Sequence, residues 1–233
     1  KAISAYFEYI ITTEDLKMRR ELLSYLHKFV LSDNLDISLI VIEEIVKAYK
    51  KGVGIQYFVP TIIRLASSHN HETREQVFSV FRELFKENPD TFEFFVDVAI
   101  QLSNHRDMKI RRDATKGLFS LILSVPEKVK DNKLLFRSYR NLALDDDPKV
   151  RYIVSSFLRD LVENFPGRIR EILQIIFIFI NSGENTIMQN TGTAVKLAIQ
   201  KHPKYKDEVI DSLKRYYKKS QDGMLYTLIN ELS

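Results

Sequence analysis

The sequence has no cysteine and no tryptophan, and only seven glycines and six prolines in 233 residues. Without thiols there is no disulfide framework, thiolate nucleophile, iron–sulfur cluster or cysteine-ligated zinc. So few glycines and prolines cannot punctuate the many short strands and tight turns of an all-β chain. Long apolar runs are missing too. The longest, Ile172–Ile180, is interrupted by Gln174 and has about half the length a bilayer crossing needs, so no membrane partner is expected. No signal-peptide pattern stands at the start, which is Lys1. Apolar residues make up 45% and charged residues 28%, too much of both for disorder or low complexity. The lack of cysteine fits a reducing compartment, and a soluble cytoplasmic protein is the expectation.

Net charge is +4, unevenly distributed: residues 1–100 carry 12 Lys and Arg against 15 Asp and Glu, and residues 101–233 carry 23 against 16. The C-terminal half therefore suits an acidic partner, although a solvated surface gives the same count.

Four prolines, Pro89, Pro126, Pro166 and Pro203, recur at intervals of 37, 40 and 37 residues. Fifteen residues before each stand Arg74, Arg111, Arg151 and Met188, and four residues before those stand Asn70, Asp107, Asp147 and Glu184. Asn and Asp accept hydrogen bonds from free N–H groups at a helix start. A proline about four turns later ends one helix and suits the first turn of the next.

Between the markers, apolar residues recur at helical spacing: Val77, Phe81, Leu84 and Phe85, then Ala114, Leu118, Leu121 and Ile122. The next two copies give Val154, Leu158, Leu161 and Val162, then Thr191, Val195, Ala198 and Ile199. A second stripe follows each proline, as in Phe92, Phe95, Val96, Ala99 and Ile100, or Ile169, Ile172, Leu173, Ile176 and Phe177. Each stripe is one buried face of an amphipathic helix.

Two amphipathic helices per period, with no strand signal between them, resemble the HEAT family of helical repeats. The segment 145–161 (DDDPKVRYIVSSFLRDL) carries the resemblance best, 106–122 and 70–84 less well. The copy at 184–199 departs from it, with Met188 where arginine is expected. The resemblance implies an all-α, right-handed α-α superhelix (α-solenoid) of about six HEAT-like hairpins plus a terminal helix. It forms a single continuous domain over 1–233, with pairs at about 1–31, 36–66, 70–103, 107–143, 147–181 and 184–219 and a cap helix at 222–233. A three-helix, armadillo-like unit across 14–66 is the alternative at the start. Pro60, inside the second helix of its pair, predicts a late start or a kink. Each hairpin has too little apolar area to stand alone and buries its stripe on the next.

No catalytic constellation is evident. There is no glycine-rich phosphate loop and no nucleophile elbow. His69 and His71 flank Asn70, and His105 sits in the next equivalent loop, but without an HExxH helix or cysteines these read as exposed loop histidines and not as a metal site. The run Asp145–Asp147 lies at a helix start, where it favours the dipole and caps N–H groups. The chain is therefore expected to be no enzyme and to carry no cofactor and no metal.

In HEAT-like repeats the recurrent arginine commonly pairs with an acidic residue near the start of its own or a neighbouring helix. The resemblance thus implies a structural ladder of Arg74, Asp107, Arg111, Asp147 and Arg151, with Arg111–Asp107 and Arg151–Asp147 as pairs. What remains for binding is the face of the second helices, concave in this family. Beyond the buried stripes it offers Lys133, Arg137, Tyr139 and Arg140, then Arg170 and Gln174, then Lys214 and Arg215. Arg and Tyr are enriched at binding hot spots, so a non-catalytic scaffold binding a protein segment along this face is the expected function. The alternative is nucleic-acid binding, since a small family of bacterial DNA glycosylases built from HEAT-like repeats resembles the chain in length. Those enzymes use tryptophan, which is absent here, and the net charge is modest for phosphate neutralisation.

Overall fold

The computed structural model describes residues 1–30, 34–87 and 91–232, and the side chains within them apart from 27–29, 85–87 and 92. Pro89 and the side chains of His27, Phe85 and Phe92 thus lie outside the described residues. Every regular element among the described residues is helical. The chain divides into two compact units, Lys1–Leu121 and Ile122–Ser233.

In unit one, α1 (Ala2–Thr12) is followed by α2 (Leu16–Phe29), α3 (Leu35–Lys50), α4 (Val59–Ala66), α5 (His71–Glu87), α6 (Phe92–Ser103) and α7 (Met108–Ser124). First helices stack on first helices, α1 on α3 and α3 on α5, and second helices on second helices, α2 on α4 and α4 on α6. Unit two continues with α8 (Pro126–Val129), α9 (Lys133–Ala143), α10 (Pro148–Ser156), α11 (Leu158–Asn164) and α12 (Ile169–Ser182), then α13 (Asn185–Lys201), α14 (Lys206–Ser220) and α15 (Gly223–Leu232). Here α9, α12 and α14 form the second-helix row, while α10 and α11 pack on α13, and α13 on α15.

The helix starts follow from short polar side chains. Asn34, Asn70 and Asn132 accept the N–H groups of Ile37, Thr73 and Leu135, and Asp147 and Asp222 do the same for Lys149 and Met224, each satisfying donors a helix leaves open. The prolines open one-turn segments ahead of the second helices: Pro126 starts α8, and Pro166 and Pro203 start 3-10 turns. Pro60 delays its helix, which begins at Val59 after a 3-10 turn over Ile55–Phe58.

The stripes read from the sequence form the core. Val77, Phe81 and Leu84 are buried in unit one, and Val154, Leu158, Leu161 and Val162 in unit two. On α12 burial extends beyond the expected stripe to Ile175, Phe179 and Ile180. α9 brings a correction. Tyr139, expected on the surface, is 0% exposed, because it stands one helical turn after Leu135 and Phe136 and belongs to the buried stripe with Leu142 and Ala143. Its ring meets Phe136 edge-on at 5.7 Å, and burial pushes its phenol well above the ordinary 10.0.

Candidate functional site

The recurrent arginines form a stitch between hairpins. Nη1 of Arg74 donates to the carbonyls of Ser68 and His69, Nη1 of Arg111 to those of His105 and Arg106, and Nη1 of Arg151 to those of Asp145 and Asp146. Each arginine thus fastens the two carbonyls five and six residues before it, in the loop that precedes its helix. For Arg74 and Arg151 the rest of the fork reaches a carboxylate one hairpin further on. Arg74 Nε and Nη2 lie 2.7 and 2.6 Å from Asp113 Oδ2, and Arg151 Nε and Nη2 each lie 2.8 Å from Glu184 Oε1.

Arg151 thereby departs from the pairing with Asp147 expected for it. Asp147 caps its own helix and Arg151 takes Glu184 instead. Asp107 likewise accepts the Lys109 N–H at 2.8 Å, a bond that holds its carboxyl below the usual range. An aspartate carboxylate satisfied by the first-turn N–H groups is turned away from a side chain on the next turn.

The second-helix row of unit two holds the expected binding residues. On α9, Lys133, Arg137 and Arg140 are exposed along one stripe, with Leu134 beside them at 64% exposure. On α12, Arg170 and Gln174 are exposed and Phe177 and Ile178 half-buried. Arg170 Nε donates to the Tyr205 hydroxyl at 3.3 Å. Lys214 and Arg215 are exposed on α14, close to Tyr217 and Lys218 around a shallow depression. Tyr139 alone of the expected set leaves this surface. The row is not uniformly basic, because the first turns of α14 add exposed Asp207, Glu208 and Asp211.

A cavity in unit one was not foreseen. It has a volume of about 860 Å³ and lies where the end of α2, the body of α4, the loop 67–69 and the loop 105–107 meet. Arg64, His69, His105, Arg106 and Asp107 supply its polar lining. The histidines at 69 and 105 stand out in the sequence as equivalent loop positions. The arginines beside them follow no periodic pattern. His71 is used otherwise: Nδ1 lies 2.9 Å from Asp113 Oδ2 and Nε2 3.3 Å from Glu75 Oε1. Among the described residues no group of three or more His, Cys, Asp or Glu is placed to hold a metal ion, and no helix is long and apolar enough to cross a membrane.

No family model and no curated protein matches the chain. Solved structures do. The crystal structure of an engineered protein from the Northeast Structural Genomics Consortium aligns at 13% identity over 100% of this chain and 95% of that one, with a TM-score of 0.50. A designed armadillo repeat protein in complex with the peptide (KR)4 aligns at 10% identity over 100% and 98%, with a TM-score of 0.46. At such identity the first likeness speaks for the fold alone, and the fold is that of an all-α helical-repeat solenoid.

Proposed function

We propose that the chain is a non-catalytic, HEAT-like scaffold that binds an acidic, extended segment of a partner protein across the second-helix row of unit two, in the cytoplasm. The observation that supports this most directly is the stripe Lys133, Arg137 and Arg140 on α9, exposed and engaged by no acidic side chain among the described residues. Elsewhere in this unit Lys201 finds a neighbouring carboxylate in Glu163. Three in a row without one leave charge to be met from outside.

The spacing suggests the ligand. Lys133 and Arg140 are seven residues apart on α9, which is about 10 Å at the helical rise, and Arg170 lies on the next helix of the row, about 8–10 Å across. A peptide in extended conformation advances about 10 Å in three residues, so acidic residues at every third position fit this grid. Leu134, Phe177 and Ile178 supply apolar contacts between the charges.

The test is fluorescence anisotropy with labelled peptides carrying Glu at every third position. Binding is expected to weaken with salt, to fall by about two- to fivefold for each of Arg137→Ala and Arg140→Ala, and to ignore Arg64→Ala in unit one. Equal affinity of the triple variant Lys133→Ala/Arg137→Ala/Arg140→Ala sinks this reading. A salt-dependent shift of duplex DNA, lost in the same variant, would replace the peptide by nucleic acid.

A further inference from the structure

The cavity in unit one combines features that a surface cleft between hairpins does not require. Its volume, about 860 Å³, is in the range of small-molecule sites. Arg64, Arg106 and His69 line it, and none of their side chains has a hydrogen-bond or ion-pair partner among the described residues. This contrasts with the arginines nearby. Arg74 is spent on Asp113 and two carbonyls, and Arg111 on the carbonyls of His105 and Arg106.

The one carboxylate of the lining, Asp107, accepts the Lys109 N–H at the start of α7. The Ser68 hydroxyl oxygen accepts the Asn70 N–H, which leaves its own proton to donate into the cavity. Pro60, Ile63 and Ile110 add an apolar wall.

We propose that this cavity binds a small phosphate monoester. Two guanidinium groups, unpaired among the described residues, offer paired N–H donors to an anion with three terminal oxygens. A monocarboxylate, with two oxygens and one charge, would leave one guanidinium unanswered. The apolar wall takes the organic part of the ester, so inorganic phosphate fills only half the site. The loop that carries Ser68 and His69 is pinned by Arg74, so the donors are held in place before the ligand arrives.

Titration calorimetry with phenyl phosphate, inorganic phosphate and benzoate tests this on the full chain at low ionic strength. Phenyl phosphate should bind one to one, at least about tenfold more tightly than either of the others. Arg64→Ala and Arg106→Ala should each weaken it about tenfold or more, while Arg140→Ala in unit two leaves it unchanged. Both arginines are exposed, so the variants should keep the wild-type far-UV spectrum and melting temperature. Should either fail to fold, amide shifts of Ser68, His69 and Asp107 on adding phenyl phosphate to the unmodified protein locate the ligand directly. The proposal is overturned by absence of binding, by undiminished affinity in Arg64→Ala/Arg106→Ala, by benzoate binding as tightly, or by shifts confined to other residues. A phosphoserine peptide that binds here where phenyl phosphate does not would overturn the small-molecule assignment as well.

Discussion

The same stitch is made twice at different depths, and this gives a sharp test of what burial does to an ion pair. Arg74 and Asp113 have side chains 4% and 7% exposed, whereas Arg151 and Glu184 are 21% and 30% exposed. Both arginines give Nη1 to two loop carbonyls and Nε with Nη2 to one carboxylate oxygen, so the geometry is nearly constant. Asp113→Ala strands a buried guanidinium with two unanswered donors, and loss of one partner of a buried pair costs about 3–5 kcal/mol. Glu184→Ala leaves Arg151 able to turn to water, and the cost falls to about 1 kcal/mol. If the first loss comes from the stranded charge, Arg74→Met/Asp113→Leu should recover most of it. The double variant also frees His71 from its contact with Asp113, so recovery stops short of complete. Because the two units need not unfold together, the assay is hydrogen exchange of the α5, α7, α10 and α13 amides alongside urea denaturation. Equal costs for Asp113→Ala and Glu184→Ala, or a double variant no better than Asp113→Ala, would refute the reasoning.

Gly117 on α7 faces Phe78 on α5 so closely that an added Cβ would overlap the aromatic ring. Gly117→Ala should therefore destabilise by about 1–3 kcal/mol despite a helix-propensity gain of about 1 kcal/mol. Thermal melts should show Phe78→Leu rescuing it, and a stabilised Gly117→Ala would contradict the packing. His202, at the end of α13, has its pKa lowered from 6.5, first by burial and then by Lys204 and Lys201. The unfolded chain then takes up the proton first, so this stability is complete above 6.5 and is lost as pH falls through the lower folded value. Denaturation midpoints across that window should flatten in His202→Gln, and an unchanged slope would exclude the histidine as the cause.

Periodicity made the hairpins legible, because a 3.6-residue stripe and a short polar cap are local signals. Asn70, Asp107 and Asp147 carry both the repeat spacing and their capping bonds. The acidic partners of the arginines were not legible in the same way. Asp113 stands six residues after the marker Asp107 and Glu184 occupies the marker position itself, so no common offset joins them. Their relation to Arg74 and Arg151 exists only once hairpins are stacked. Residue type favours a surface place for Tyr139, but its position in the stripe with Leu135, Phe136 and Leu142 buries it. The cavity was invisible for a further reason: its walls come from segments about one repeat apart, and Arg64 and Arg106 occupy different positions within their repeats.

The departure at Met188 is coupled to the end of the stitch. Glu184, one methylene longer than the aspartate used at 107 and 147, makes no capping bond and spends its carboxylate on Arg151. Position 188 then has no polar task. Met188 is 3% exposed, and α13 meets α15 through an apolar contact to which Leu225, Leu228 and Ile229 contribute their buried side chains. The ion pair there, Lys196–Glu231 at 2.6 Å, has both side chains about half exposed and adds little. Restoring the repeat pattern by Met188→Arg should therefore harm the protein. With Glu184 engaged by Arg151 and Glu231, which lines the same depression as Met188, engaged by Lys196, the new guanidinium would be buried without a free carboxylate, costing about 3 kcal/mol or more, while Met188→Leu should cost under about 1.5 kcal/mol. Urea denaturation of the two variants decides it. A Met188→Arg chain as stable as Met188→Leu would mean that an acid is available at that position after all, and that the stitch continues into α15.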